Sequence, residues 1–200
     1  AAEICPVSVP QRKGDPLQVT ADEGPRADTT ADSLAKLRPA FKRDGGTVTA
    51  GNASSINDGA AALLVASGDF VAEQGLQPLA RITGYVTGGA APEWVMMAPV
   101  DAVTKLMARE GTKIGDYDLI EINEAFAAQV LACHREEELP MERVNVNGGA
   151  ISLGHPIGCS GARVLTTLLH ALEDRGLSRG AAALCLGGGN AVAMSIEVLS

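Results

Sequence analysis

The chain has 200 residues, 46% of them hydrophobic and 3% aromatic, and a formal net charge of −8. Its apolar content is sufficient for a core, while its negative charge argues against general nucleic-acid binding, which needs clustered Lys and Arg. Apolar runs such as AAALLVA are too short to span a bilayer, and no signal-peptide pattern is present. We therefore expect no membrane binding. Because the four cysteines form no C-x-x-C pair, we also expect reduced thiols, no metal site and a cytoplasmic protein.

The first 45 residues contain little that can form an independent core. AAEICPVSVPQRKGDPLQV is typical of an extended segment. DTTADSLAKLRPAF predicts a short helix with a Thr or Asp cap and with Leu34, Leu37 and Phe41 facing inward. A polar Gly/Asn/Ser loop then leads to an expected strand over residues 60–66 and a helix over residues 69–74.

Strand and helix patterns alternate from Pro78 onward. The predicted strands are LARITGYVTG, YDLIEIN, RVNVN, AAALCLG and AVAMSIEV. The predicted helices are VDAVTKLMAREG, AFAAQVLACHREEEL and the Leu-rich run after Ser160. This alternation predicts an α/β fold in which helices cover a sheet, and GGGN between the last two strands predicts an antiparallel hairpin.

A glycine-rich stretch, NVNGGAISLGHPIGCSGAR over residues 145–163, holds a single histidine between Gly154 and Pro156. Glycine lets the main chain approach a ligand closely, and proline stiffens the turn. His155 is therefore expected on a rigid loop just before a helix. The alternative is a tight core turn in which the histidine is incidental.

Polar residues also stand at two expected strand ends. Asn123 and Glu124 follow YDLIEI, and Cys185 lies near the end of AAALCLG. In alternating α/β chains such positions commonly form sites. Each has an ordinary alternative: Asn123 as the cap of the next helix, Glu124 as a charge favoured by that helix's dipole, and Cys185 as core filler.

Four motifs in order resemble the thiolase family, in particular the acetyl-CoA C-acetyltransferases. They are TAGNASSINDGAAAL, NEAF, GGAISLGHPIGCSGAR and CLGGG, and the match runs from about Gly46 to the end of the sequence. The resemblance implies a layered αβαβα fold. It also implies three parts: residues 1–45 as a remnant of the loop domain, residues 46–74 as the closing strand and helix of the N-terminal domain, and residues 75–200 as the C-terminal domain.

Nothing in the chain resembles the family's nucleophilic cysteine motif. We therefore expect the chain to correspond to the C-terminal half of a thiolase plus the last strand of the N-terminal half. The nucleophile would come from the N-terminal half, in the same polypeptide or in a separate chain. On this interpretation the chain alone is inactive, and the assembly is a homodimer or a homotetramer.

The resemblance also implies residue roles. His155 would take the proton of the nucleophilic cysteine and donate to a thioester oxygen, and Asn123 would hold a water completing that oxyanion hole. Cys185 would be the α-proton base in condensation and the acid in thiolysis. The Gly187 amide would contribute to a second oxyanion hole, and Ser54 would contact the pantetheine arm of coenzyme A.

The function implied is acyl transfer between acyl-CoA thioesters, by Claisen condensation or the reverse thiolysis, with coenzyme A as substrate or product and no tightly bound cofactor. The alternative is a non-catalytic acyl-CoA-binding or assembly fragment of the same fold. A ketoacyl synthase is a third possibility, against which Cys185 in CLGGG argues. Two departures from the family pattern, Ser55 and EWVMMAPV over residues 93–100, bear on acyl chain length rather than on reaction class.

Overall fold

A computed structural model of the chain describes residues 3–199. Ahead of the main sheet lie a small hairpin and two short helices: β1 (Val7–Val9), β2 (Leu17–Val19), α1 (Ala31–Ala35) and α2 (Gly68–Glu73). The strands β1 and β2 pair antiparallel, so the segment expected to be extended folds back on itself. Every residue of this hairpin except Val19 is exposed, which agrees with the expectation that this region has no core of its own.

From Pro78 onward, four of the five predicted strands and all three predicted helices form. The elements of this region are β3 (Ala80–Gly89), α3 (Ala98–Glu110), β4 (Leu119–Ile122), α4 (Ala127–Glu137), α5 (Ala150–Leu153), α6 (Ser160–Arg175), β5 (Arg179–Leu186) and β6 (Asn190–Val198). Short 3₁₀ turns lie at Pro92–Met97, Ile114–Asp116 and Met141–Arg143. No helix within residues 3–199 is both long and apolar enough to cross a membrane.

One four-stranded sheet, in the order β3-β6-β5-β4, carries the fold. The β5–β6 pair is the predicted antiparallel hairpin, and β3 also pairs antiparallel with β6. The β4–β5 pair is parallel. The carboxyl ends of β4 and β5 therefore meet at the same edge, and this edge positions the candidate site.

Helices cover both faces of the sheet. Ala102 and Leu106 of α3 pack with Ile120 and Ile122 on one face. On the other face Leu119 packs with Leu168 and Leu172 of α6. Leu119 and Ile120 take part in different clusters because successive strand side chains point to opposite faces. This layering agrees with the expected thiolase-like α/β fold.

The predicted helix after Asp28 forms, and Thr30 caps it by accepting a hydrogen bond from the Ser33 amide. Its expected inward face was wrong. Leu34, Leu37 and Phe41 are 37%, 39% and 77% exposed. An apolar helix face is buried only against another element, and within residues 3–199 no sheet or long helix packs on α1. The Phe41 ring does lie edge-on to the Phe126 ring, with 6.3 Å between the ring centroids.

Two predicted strands do not form. Residues 60–66 have no strand partner among residues 3–199, and Leu64 and Val65 are 89% and 69% exposed. A strand needs a neighbour to satisfy its backbone, so strand propensity alone does not make one.

RVNVN makes only one parallel bridge, between Val144 and Ile120, before the chain turns at Asn145 with φ of 49°. The Asn145 side chain then substitutes for a strand partner. Its Oδ1 accepts from the Ile122 amide at 2.8 Å, and its Nδ2 donates to the Ile122 carbonyl at 2.9 Å. These two bonds satisfy the last residue of β4 without a further strand.

Candidate functional site

Asn123 and Cys185 lie at the edge of the sheet where the parallel strands β4 and β5 end. Asn123 directly follows β4 and is buried, and its backbone amide donates to the Ala183 carbonyl of β5 at 3.0 Å. Cys185 is two residues farther along β5, or about 7 Å along an extended strand, and is half-buried. The structure thus places both predicted residues at one edge.

His155 reaches the same edge from the loop between α5 and α6. Gly154 enters this loop with φ of 93°, a conformation that glycine adopts without strain. The His155 amide donates to the Ser55 carbonyl at 2.8 Å, which fixes the backbone. The His155 Nε2 atom then lies 3.4 Å from the Asn123 Nδ2 atom. Two side chains 32 residues apart therefore meet as expected for a shared site.

The other ring nitrogen of His155 contacts a residue that the sequence analysis did not identify. His155 Nδ1 lies 2.6 Å from the hydroxyl oxygen of Ser160, the first residue of α6. The sequence signal available was a serine five residues after the histidine, where a tight turn into a helix brings them together. Without the turn geometry, that serine reads only as an ordinary residue of the first helical turn.

The environment shifts the pKa values of both titratable site residues. Burial lowers the pKa of His155, and the positive charge of Arg163 lowers it further. His155 is therefore neutral at pH 7 and able to accept a proton. Burial raises the pKa of the Cys185 thiol, so Cys185 is protonated at pH 7. A thiol with a raised pKa is a stronger base once it has lost its proton.

Asn123 and Glu124 do not play the helix-end roles considered as alternatives. The first residue of α4 is Ala127, and Phe126 precedes it without a side-chain cap. Glu124 instead accepts from the Asn145 Nδ2 atom at 2.9 Å and from the Ile151 amide at 3.1 Å. Glu124 thus braces the loop that leads to His155 rather than the helix that follows Glu124.

A segment over residues 52–57 connects the two loops of the site. The Ala127 amide donates to the Asn52 carbonyl at 2.9 Å, and Ala53 forms an antiparallel bridge with Phe126. The amide and the hydroxyl of Ser54 both donate to the Ala125 carbonyl, at 3.0 and 3.1 Å. Ser54 thereby holds the loop that carries Asn123, and its predicted contact with coenzyme A stays a prediction.

Gly187 lies in the exposed turn between β5 and β6. A Cβ atom built at Gly187 would meet no other atom within 4 Å, and the positive φ values of the turn fall instead on Gly188 and Gly189. The Gly187 amide is therefore at an open position close to Cys185. Its predicted oxyanion role stays a prediction. Within residues 3–199, no group of three or more His, Cys, Asp or Glu side chains is arranged to hold a metal ion.

Glu121, on β4 beside the site, gives the chain a pH-dependent stability. Burial raises its pKa to about 8 from an ordinary value of 4.5, opposed by Arg163 and reinforced by Glu124 and Glu3. Between these two values the folded chain binds more protons at Glu121 than the unfolded chain does. Its free energy of unfolding therefore falls as pH rises through this range.

We expect Glu121→Gln to remove this fall. Urea unfolding at pH 5 and pH 8 should show a smaller loss of stability in Glu121→Gln than in the unmodified chain. Glu142→Gln, which neutralises an exposed carboxylate, is the matched control and should leave the loss unchanged. An equal loss in all three proteins would show that Glu121 is ionised throughout this range.

Comparison with known proteins gives two family matches. Residues 76–198 match the model of the thiolase C-terminal domain, and residues 1–69 match that of the thiolase N-terminal domain. A curated relative, the acetyl-CoA acetyltransferase of Chromobacterium violaceum, is 57% identical over 195 residues, which cover 98% of this chain and 50% of the relative. The chain thus spans about half the length of the curated relatives it matches.

Solved structures give the same relationship. The acetyl-CoA acetyltransferase of Bacillus anthracis is 50% identical with a TM-score of 0.94, over 98% of this chain and 49% of that one. Human mitochondrial 3-ketoacyl-CoA thiolase in complex with CoA is 41% identical with a TM-score of 0.84, over 92% and 46%. The fold described above is therefore similar to half of each of these chains.

Proposed function

The chain belongs to the thiolase family, and from that membership we propose that it supplies the acid–base half of an acyl-CoA acyltransferase of the acetyl-CoA C-acetyltransferase type. The reaction is Claisen condensation of two acyl-CoA thioesters or the reverse thiolysis. Coenzyme A is a substrate or product, and no tightly bound cofactor takes part. One relative is named an acetyl-CoA acetyltransferase and another a probable acetyl-CoA acyltransferase, which supports this substrate class.

The single observation that carries the proposal is the 3.4 Å contact between Asn123 and His155 at the sheet edge that also holds Cys185. A neutral imidazole can accept a proton from a thiol, and a buried thiol can donate one and later accept one. A binding-only protein has no need for an acid, a base and a polar amide at one sheet edge. The non-catalytic fragment is therefore the weaker alternative.

In the first half of the proposed cycle, His155 Nε2 takes the proton of a nucleophilic cysteine outside this chain. The resulting thiolate attacks the thioester carbonyl, the bond from carbon to the coenzyme A sulfur breaks, and Cys185 gives its proton to the departing thiolate. An acyl-enzyme and a Cys185 thiolate result. The buried Oδ1 atom of Asn123, which has no hydrogen-bond partner among residues 3–199, supports the predicted role of Asn123 in holding a water for the first oxyanion.

In the second half, the Cys185 thiolate removes the α-proton of a second acetyl-CoA. The carbanion attacks the acyl-enzyme carbonyl, a carbon–carbon bond forms, and the bond to the nucleophilic sulfur breaks. That sulfur recovers its proton from His155, and Cys185 ends as a thiol. The Gly187 amide stabilises the enolate oxygen, since main-chain donors in a glycine turn leave room for a substrate. Ser54 contacts the pantetheine arm.

The proposal includes a division of labour between two halves. Residues 75–200 are the C-terminal domain, residues 46–74 close the N-terminal domain, and residues 1–45 belong to a loop domain. The exposed Leu64 and Val65 are suited to a sheet in the N-terminal half.

We propose a homodimer or homotetramer in the cytoplasm, and the four unpaired cysteines fit a reducing compartment.

The test is to assay acetoacetyl-CoA thiolysis with this chain alone and then with a thiolase N-terminal half added. We expect no turnover from the chain alone, because none of its cysteines stands in the motif of an acylated nucleophile, and turnover when the complement is present. Robust turnover by the chain alone would contradict the half-enzyme proposal. No turnover from a well-folded complex would favour the acyl-CoA-binding fragment, which binding of radiolabelled acetyl-CoA would then detect.

A further inference from the structure

We propose that Ser160 is a positioning residue that fixes the tautomer of His155, so that Nδ1 carries the proton and Nε2 presents a lone pair toward the reaction. This inference rests on the proposed function, because it gives Nε2 the role of proton acceptor. Neither the sequence motifs nor the family comparison assigns a role to Ser160.

The hydrogen bonds around Ser160 form a chain with a direction. The Ser160 hydroxyl lies 3.0 Å from the Pro156 carbonyl, which can only accept, and 2.6 Å from His155 Nδ1. A hydroxyl has one hydrogen and two lone pairs. If that hydrogen is donated to Pro156, the hydroxyl oxygen accepts from Nδ1, and the ring proton is held on Nδ1.

The opposite side of the ring agrees with this direction. Asn123 Nδ2, which can only donate, faces His155 Nε2 at 3.4 Å. A protonated Nε2 would place two donors against each other. An unprotonated Nε2 accepts from Asn123 in the resting site and is free to accept a thiol proton when substrate chemistry begins.

Burial makes Ser160 a stable anchor for this arrangement. Ser160 is 0% exposed, so water does not compete for its hydroxyl. Its backbone is fixed in the first turn of α6, where its amide donates to the same Pro156 carbonyl at 2.9 Å. Pro156 is adjacent to His155, so histidine, proline and serine form one short rigid unit.

The competing arrangement has the Ser160 hydroxyl donate to Nδ1. The Pro156 carbonyl already accepts from the amides of Cys159 and Ser160, at 2.8 and 2.9 Å, and can be satisfied without the hydroxyl. That arrangement leaves the proton on Nε2, where it blocks transfer from a thiol. The two arrangements differ in which ring nitrogen carries hydrogen, and this difference is measurable.

The first measurement is ¹⁵N NMR of the imidazoles at pH 7.5. The chain is labelled with ¹⁵N-histidine and bound to an unlabelled thiolase N-terminal half, so that only its three histidines contribute. We expect His155 to be protonated at Nδ1 in the unmodified chain. In Ser160→Ala, Nδ1 loses its acceptor, and the Nε2-protonated form should gain population. Protonation of Nε2 in the unmodified chain, or an unchanged tautomer in Ser160→Ala, overturns the proposal.

The second measurement is the rate at which iodoacetamide alkylates the nucleophilic cysteine of the same complex. Loss of the outer partner of a metal-bound histidine typically costs about 10- to 100-fold. For His155, which binds no metal in this proposal, we expect a decrease at the lower end of that range, about 10-fold, in Ser160→Ala. Ser160→Thr, which keeps a hydroxyl, should partly restore the rate. Thr166→Ala is the matched control. Thr166 makes the same kind of bond on the same helix, to the Ala162 carbonyl at 2.8 Å, but has no histidine partner.

A purely structural role predicts a different pattern. Ser160→Ala and Thr166→Ala would then lower the urea midpoint to similar extents and leave both the tautomer and the alkylation rate unchanged, which overturns the proposal. The tautomer measurement requires no turnover. A complex that binds acetyl-CoA without reacting would refute the proposed function and still leave the inference about Ser160 decided by NMR.

Discussion

Replacing Cys185 with alanine is expected to lower condensation and thiolysis by about 100- to 10,000-fold, the usual cost of removing a positioned acid or base. The physical reason is that, among residues 3–199, no other residue at the end of β5 has a side chain that can carry the α-proton. Burial raises the pKa of the Cys185 thiol, so the thiolate it forms is a strong base. Alanine removes that base and changes the volume of the site little.

The Cys185→Ala experiment separates the two half-reactions. Burst release of coenzyme A from acetyl-CoA measures formation of the acyl-enzyme and should stay measurable, because a coenzyme A thiolate can leave without prior protonation. Acetoacetyl-CoA formation measures condensation and should be lost. Cys133→Ala removes another buried thiol, on α4, and should retain both activities. Near-normal condensation by Cys185→Ala would exclude Cys185 as the α-proton base.

Replacing His155 with alanine is expected to slow alkylation of the nucleophilic cysteine at pH 7 by up to about 30-fold, because a thiol with a pKa near 8.5 is only about 3% thiolate at this pH. Without the imidazole the thiol has no adjacent proton acceptor and reacts only through its ordinary ionisation near pH 8.5. The measurement is iodoacetamide inactivation of the complex of this chain with a thiolase N-terminal half. His170→Ala, on α6 and paired with Glu173 at 3.4 Å, is the matched control.

The pH dependence of His155 gives the same experiment a second readout. The pKa of His155 is lowered below 6.5 by burial and by Arg163, so the base stays neutral at pH 7. Alkylation of the unmodified complex should therefore stay fast from pH 8 to mildly acidic pH and fall once pH passes below the pKa of His155. In His155→Ala the rate should instead fall throughout this range as the thiolate is protonated. Identical profiles would leave His155 only as an oxyanion donor.

The residues of the candidate site were predictable because their chemistry and their spacing are both local features of the sequence. Asn123 directly follows the apolar run that forms β4, Cys185 is the next-to-last residue of β5, and the parallel pairing of the two strands brings these ends together. His155 is marked by its glycine and proline neighbours. The helix ending at Gly111 was equally predictable, since Gly111 adopts the left-handed conformation that terminates α3.

The parts that could not be predicted depend on contacts between distant segments. RVNVN has a strand's composition, yet Asn145 takes the partner's place at β4, and nothing in the local pattern distinguishes the two outcomes. Residues 60–66 have strand propensity without a strand beside them. Ser160 and Glu124 gain their importance from partners that only the folded turns supply, namely His155 and the Ile151 amide.

The hydrogen bonds made by residues 52–57 cross the boundary between the two family domains. Residues 52–57 fall within the match to the N-terminal family domain. Their backbone nevertheless pairs by hydrogen bonds with residues 125–127 and 155, which all lie in the match to the C-terminal domain. The division between the two family domains therefore crosses the candidate site instead of passing beside it. An exchange of domains between two thiolases at residue 70 would separate His155 from residues 52–57 of its own protein, where the Ser55 carbonyl accepts from the His155 amide. An exchange placed before residue 46 would transfer residues 52–57 and His155 together, with the hydrogen bonds between them intact.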